Sequence, residues 1–160
     1  MGGGHPPQDF PALPPNTEVT IDFPSTVGVD NIAAAGDQNT TERTVTIPAT
    51  PTGRTIVRVL AACILHILNN GQAGHTIDVD IEGRLGAGAW TNWPIGNDYL
   101  GLPAGVTYAT DGDVPMADVS ALVVAAGNYG FRLVVNQSGG ANSVIYKTQF
   151  LIKVTYRMTP

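Results

Sequence analysis

The stretch VIYKTQFLIKVTY, residues 144–156, decides how this 160-residue chain is read. Val144, Tyr146, Thr148, Phe150, Ile152, Val154 and Tyr156 fall on even positions, with Lys147, Gln149, Lys153, Thr155 and then Arg157 on odd ones. That is period two, the pattern of a strand with one face buried and one face solvated. At the usual rise per residue it spans about 45 Å, longer than most strands.

The same alternation recurs upstream. Val19, Ile21 and Phe23 alternate with Glu18, Thr20 and Asp22, and Ile77, Val79 and Ile81 with Asp78, Asp80 and Glu82. Tyr129, Phe131, Leu133 and Val135 form a further set, and shorter candidates run over 44–47, 105–108 and 119–124. Turn-forming clusters separate these runs: Thr50-Pro51-Thr52-Gly53, Asn69-Asn70-Gly71, Gly127-Asn128 and Ser138-Gly139-Gly140-Ala141-Asn142. The segment TIVRVLAACILHILNN, residues 55–70, is ambiguous, because Ile56, Val59, Leu60, Cys63, Ile64 and Ile67 would also line one helical face. Its β-branched start and its Asn-Asn-Gly exit favour a strand. The expectation is an all-β, antiparallel β-sandwich, jelly-roll-like, of about eight strands, with residues 24–40 and 84–118 as long loops.

Length predicts a single domain over residues 17–160, preceded by an arm over residues 1–16. Only 13% of residues are charged and the net charge is −5, which argues against a nucleic-acid partner. Asp9, Glu18, Asp22, Asp30, Asp37 and Glu42 all precede Arg43, the first Lys or Arg, so an acidic quarter is expected to meet a basic surface elsewhere. No apolar run is long enough to cross a bilayer as a helix, and the N-terminus lacks the pattern of a secretory leader. Cytoplasmic synthesis without export is expected.

No catalytic signature is visible. Cys63 sits among Ala61, Ala62, Ile64 and Leu65, with nothing to activate a thiol, and reads as core filler. His5, His66 and His75 lack metal-ligand spacing, so no metal, no cofactor and no enzymatic role is expected. Asp78, Asp80 and Glu82 share a strand face and read as a solvated edge, and Asp111-Gly112-Asp113 reads as a plain turn. Trp90 and Trp93, with Tyr99 nearby, are the side chains suited to capping the core, anchoring an interface or stacking on a sugar.

The first fifteen residues, MGGGHPPQDFPALPP, carry five prolines and three glycines. Such a segment builds neither helix nor sheet and must be ordered, if at all, by other chains. A proline-rich stretch is already partly straightened, so pinning it along a neighbour costs little extra entropy. Gln8, Asp9, Phe10 and Leu13 are the expected contacts in it, joined by Trp90 and Trp93 from the body.

This arm, followed by a sandwich closing on AAGNYGFRLVVNQSGGANSVIYKTQFLIKVTYRM, resembles the small jelly-roll decoration (cement) proteins of tailed-bacteriophage heads. The resemblance implies a homotrimer on the outer capsid surface that stabilises the virion by bridging adjacent subunits of the major capsid protein. The closing stretch also resembles sandwich modules of phage tails and fibres, which implies an alternative: a carbohydrate- or receptor-binding module using Trp90, Trp93 and Tyr99.

Overall fold

The structure, a computed structural model, describes residues 14–69, 77–95, 107–109, 116–137 and 144–159. Among these there are eleven strands. They are β1 (Glu18–Pro24), β2 (Gly28–Ile32), β3 (Gly36–Asn39), β4 (Arg43–Ile47), β5 (Arg54–Asn69), β6 (Ile77–Leu85), β7 (Thr91–Asn92), β8 (Thr107–Ala109), β9 (Ala117–Asp118), β10 (Gly127–Gln137) and β11 (Val144–Met158).

Two antiparallel sheets result. In the first, β11 is flanked on one side by β1 and β2 in succession and on the other by β5, whose far edge carries β8 and β9. In the second, β10 is flanked by β3 and β4 in succession and by β6, which carries β7. Taking β1 with β2, β3 with β4 and β8 with β9 as single broken strands leaves eight strand positions. The first sheet runs first, eighth, third, sixth, and the second runs second, seventh, fourth, fifth. Each position pairs with its counterpart from the opposite end of the chain, so the fold is a long antiparallel ribbon rolled up on itself. That is the jelly roll.

The alternation of residues 144–156 does what its period demands. Val144, Tyr146, Thr148, Phe150, Ile152, Val154 and Tyr156 are buried between the sheets. Opposite them stand Tyr129, Phe131, Leu133 and Val135 of β10 with Ile77, Val79 and Ile81 of β6. The sheets meet where Phe131 stacks on Phe150, centroids 5.1 Å apart and planes 19° from parallel. The ambiguous segment is a strand: β5 pairs with β11 from Arg54 to Asn69, through one bulge opposite Thr155 and Tyr156. Its inward side chains, Val59, Ala61, Cys63, Leu65 and Ile67, join the core.

Three expectations need correction. Residues 24–40 are not one long loop, since they contain β2 and β3; these short edge strands are held by backbone pairing with β11 and β10, which leaves little side-chain pattern to read. Residues 84–118 include β7, β8 and β9, each too short to show a period. Residues 119–124 are a turn: Leu122 and Val123 both donate to the carbonyl of Val119, at 2.8 and 3.0 Å. Val119 and Val123 are both buried, but four residues apart on one turn and not on alternating strand positions.

Candidate functional site

The root of the arm is built from four residues. Thr17 N–H donates to the Pro14 carbonyl at 3.1 Å, and Asn16 between them has φ 67°. Proline at the second position and a positive φ at the third describe a type II turn, which reverses the chain just ahead of β1. Asn16 N–H donates to the Met158 carbonyl, and Met158 N–H to the Thr17 carbonyl, at 3.1 and 3.0 Å. The turn ahead of β1 is therefore tied to the end of β11. Gln8, Asp9, Phe10 and Leu13 themselves lie outside the described residues.

The two tryptophans part company. Trp93 is 7% exposed and sits in the core, edge-on to Phe131 at 4.9 Å and to Tyr129 at 6.1 Å. Its ring occupies the space a side chain at Gly83 would fill, since a Cβ there would lie 2.6 Å from the indole nitrogen. Trp90 is half-buried on the outer face of the second sheet, with two guanidiniums over its ring, Arg84 at 4.3 Å and Arg132 at 4.2 Å from the centroid. Glu42 pairs with Arg84 at 2.5 Å and Glu82 with Arg132 at 2.6 Å. An aromatic ring attracts cations to its faces, so the cluster locks the connection between β6 and β7 onto the sheet. Both guanidiniums occupy indole surface that stacking on a sugar would use, and Tyr99 lies outside the described residues.

The acids of the N-terminal quarter find partners within the chain. Glu18 pairs with Arg157 at 2.7 Å, Asp22 with Lys153 at 3.3 Å, Asp30 with Arg43 at 2.7 Å, and Glu42 with Arg84. Asp37 accepts from Asn136. The expected basic partner surface is thus largely the chain's own later strands. Asp9 is the one acid of that quarter outside the described residues.

Of the strand-face carboxylates, Glu82 is taken by Arg132 and Asp80 is also engaged. Asp78 Oδ1 is buried with no partner among the described residues. No group of His, Cys, Asp and Glu there could hold a metal ion. Cys63 is 4% exposed, and burial pushes its thiol up to about 12, so it is a core side chain and not a nucleophile at neutral pH. Asp118 is held below the usual carboxylate range by two hydrogen bonds from Ser120, whose hydroxyl also accepts from Val59 N–H. That arrangement positions β9 and the following turn. His66 faces outward on β5, and His5, His75, Asp111 and Asp113 lie outside the described residues. No helix among the described residues is long and apolar enough to cross a membrane.

No family model matches the chain, and no curated protein sequence matches it. Among solved structures it is similar to that of the infectious bursal disease virus Gx strain, at 14% identity and a TM-score of 0.41, over 90% of this chain and 36% of that one. It is also similar to the VP2 subviral particle of the same virus, at 13% identity and a TM-score of 0.32, over 84% of this chain and 38% of that one. The chain spans well under half the length of these neighbours. The strand order, and not this likeness, carries the fold.

One surface is not apparent in the sequence. On the outer face of the first sheet, Val27, Ile64, His66, Lys147 and Gln149 border a groove of about 290 Å³. It opens where the edge strand breaks between β1 and β2. Its signal is the apolar character of β5 on both faces, together with Val27 and Val29 in a segment that reads as a loop.

Proposed function

We propose that this chain is a structural virion protein, which decorates a phage capsid from outside and bridges adjacent major capsid subunits through its arm and through contacts within a homotrimer. The observation that carries the reading is an arm rich in proline and glycine, rooted by a backbone-bonded turn at the end of a jelly-roll body. Jelly rolls serve in viral capsids, lectins and cupins. The lectin-like alternative draws its support from Trp90, whose ring already holds two guanidiniums.

Under this reading the chemistry is burial and hydrogen bonding across seams in a shell, repeated in every subunit so that weak contacts act together. Gln8, Asp9, Phe10 and Leu13 form the arm's contacts, with Phe10 and Leu13 its large apolar groups beyond Met1. Trp90 and its arginines present a stiff patch on the body, and Trp93 supports it from the core. The test is co-sedimentation of the full chain with shells of the major capsid protein from the same genome. Wild-type chain is expected to travel with the shells. A variant carrying Phe10→Ala and Leu13→Ala is expected to lose attachment by about 100-fold or more, since burying such side chains contributes about 1.5–3 kcal/mol each. Attachment unchanged in that variant, or absent in the wild type, overturns the reading.

A further inference from the structure

We infer that the groove on the outer face of the first sheet receives the arm of a second copy of this chain, with Asp9 set against Lys147 and His66 and Phe10 against Val27 and Ile64. The inference rests on the proposed role of the arm and names its partner between copies. Single exposed aliphatic side chains are ordinary on a protein surface, but these are gathered at one place. Val27 is 52% exposed, Val29 62% and Ile64 39%, and the first and last line the same groove. Lys147 stands directly opposite His66 in the ladder and Val29 on its other side. The groove therefore joins apolar walls to a lysine and a histidine.

Charge bookkeeping along the chain points to the occupant. Glu18, Asp22, Asp30 and Glu42 are each paired with a base of the body, whereas Lys147 takes part in none of the five ion pairs among the described residues. Asp9 is followed directly by Phe10, an acid beside the largest apolar group of the arm. That dipeptide matches a groove of Lys147, His66, Val27 and Ile64 in both charge and apolar character.

Reach decides between copies. Glu18 pairs with Arg157, and Gln149, the nearest groove residue on β11, lies eight positions farther along that strand, about 27 Å away. The turn holds Pro14 within about 7 Å of Thr17, and the four residues from Pro14 back to Phe10 add at most about 14 Å. The backbone of Phe10 in the same chain stops about 6 Å short of Gln149 even when fully extended along the sheet, whereas the arm of a neighbouring chain reaches the groove without that constraint. Each copy then offers one arm and one groove, a head-to-tail contact that closes into a ring when the rotation between copies permits.

Full-length chains carrying Phe10→Cys alone and Ile64→Cys alone, mixed and gently oxidised, test the geometry. The expected product is a disulfide-linked heterodimer on a non-reducing gel, absent when either protein is mixed with wild type; Cys63 is buried and does not compete. No heterodimer overturns the inference. So does a link formed only within single chains of the doubly substituted protein, which would make the occupant the chain's own arm. In parallel, Asp9→Lys and Lys147→Glu are each expected to weaken self-association by about tenfold. An equimolar mixture of the two should recover it, and no recovery counts against the pairing. If cross-linking fails while Phe10→Ala with Leu13→Ala still abolishes shell attachment, the groove assignment falls and the virion reading stands. If cross-linking succeeds while those substitutions leave shell attachment untouched, the groove assignment stands and the virion reading falls.

Discussion

Where the first edge strand leaves β11, Ser25 Oγ accepts the amide hydrogen of Phe150 at 3.0 Å, and Ser25 N–H donates to the Phe150 carbonyl at 2.8 Å. Thr40 repeats the arrangement on the second sheet: Oγ1 accepts from Leu133 N–H at 2.9 Å, and Thr40 N–H donates to the Leu133 carbonyl at 3.0 Å. In each case a hydroxyl replaces the backbone carbonyl that a continuous strand would have offered, which lets the edge strand break without orphaning a buried donor. Removing either hydroxyl leaves the N–H of a residue that is at most 1% exposed without a partner. Ser25→Ala and Thr40→Val are each expected to lower stability by about 1–3 kcal/mol, measured by urea unfolding. A serine or threonine between two alternating runs gives no hint of this role in sequence, because its partner is 125 or 93 positions away. Gln137 is similar: its amide donates to the carbonyls of Ile32 and Ala34 and accepts from the Tyr146 hydroxyl. The burial of Cys63, by contrast, was legible from its apolar neighbours alone.

Among the elements, the long strands were the readable ones. β10 and β11 each show alternation over enough residues for period two to stand out, and the expected strands at 19–23 and 77–81 became β1 and β6. β5 was harder because it is apolar on both faces, inward to the core and outward toward the groove. The edge strands β2 and β3 were unreadable, since they are short, polar and held mainly by main-chain bonds. What fastens the two broken edges to one another is the pair Arg43 and Asp30, both inward-facing and each 11% exposed, which joins β4 of one sheet to β2 of the other. Arg43 fits only because residue 28 is glycine: a Cβ there would collide with the guanidinium. Asp30 also accepts from Thr41 N–H at 2.9 Å. Asp30→Asn removes the charge that compensates a largely buried guanidinium, with an expected loss of about 2–4 kcal/mol. Hydrogen exchange should show the opening confined first to β2, β3 and β4, while β5 and β10 stay protected.

At the scale of the molecule, the ribbon pairs the two ends of the chain, with Glu18 opposite Arg157 and Val19 opposite Tyr156. Such pairing closes very long loops before it returns any contact, so folding is expected to be slow, on the order of milliseconds to seconds, and to unfold in one step. Stopped-flow refolding checks this, and a microsecond phase carrying the full amplitude would contradict it. The sequence by itself determined that this is an all-β chain whose long alternating strands each carry one buried face. Those properties follow from local periodicity and backbone chemistry, which are written in consecutive residues. Only the tertiary structure decided the rolled strand order, the burial of Trp93, the two arginines over Trp90, the internal pairing of the N-terminal acids and the groove at Val27 and Ile64. Each of these depends on residues far apart in the chain being brought together by the register of two sheets, and register is a property of the whole ladder that no short stretch contains.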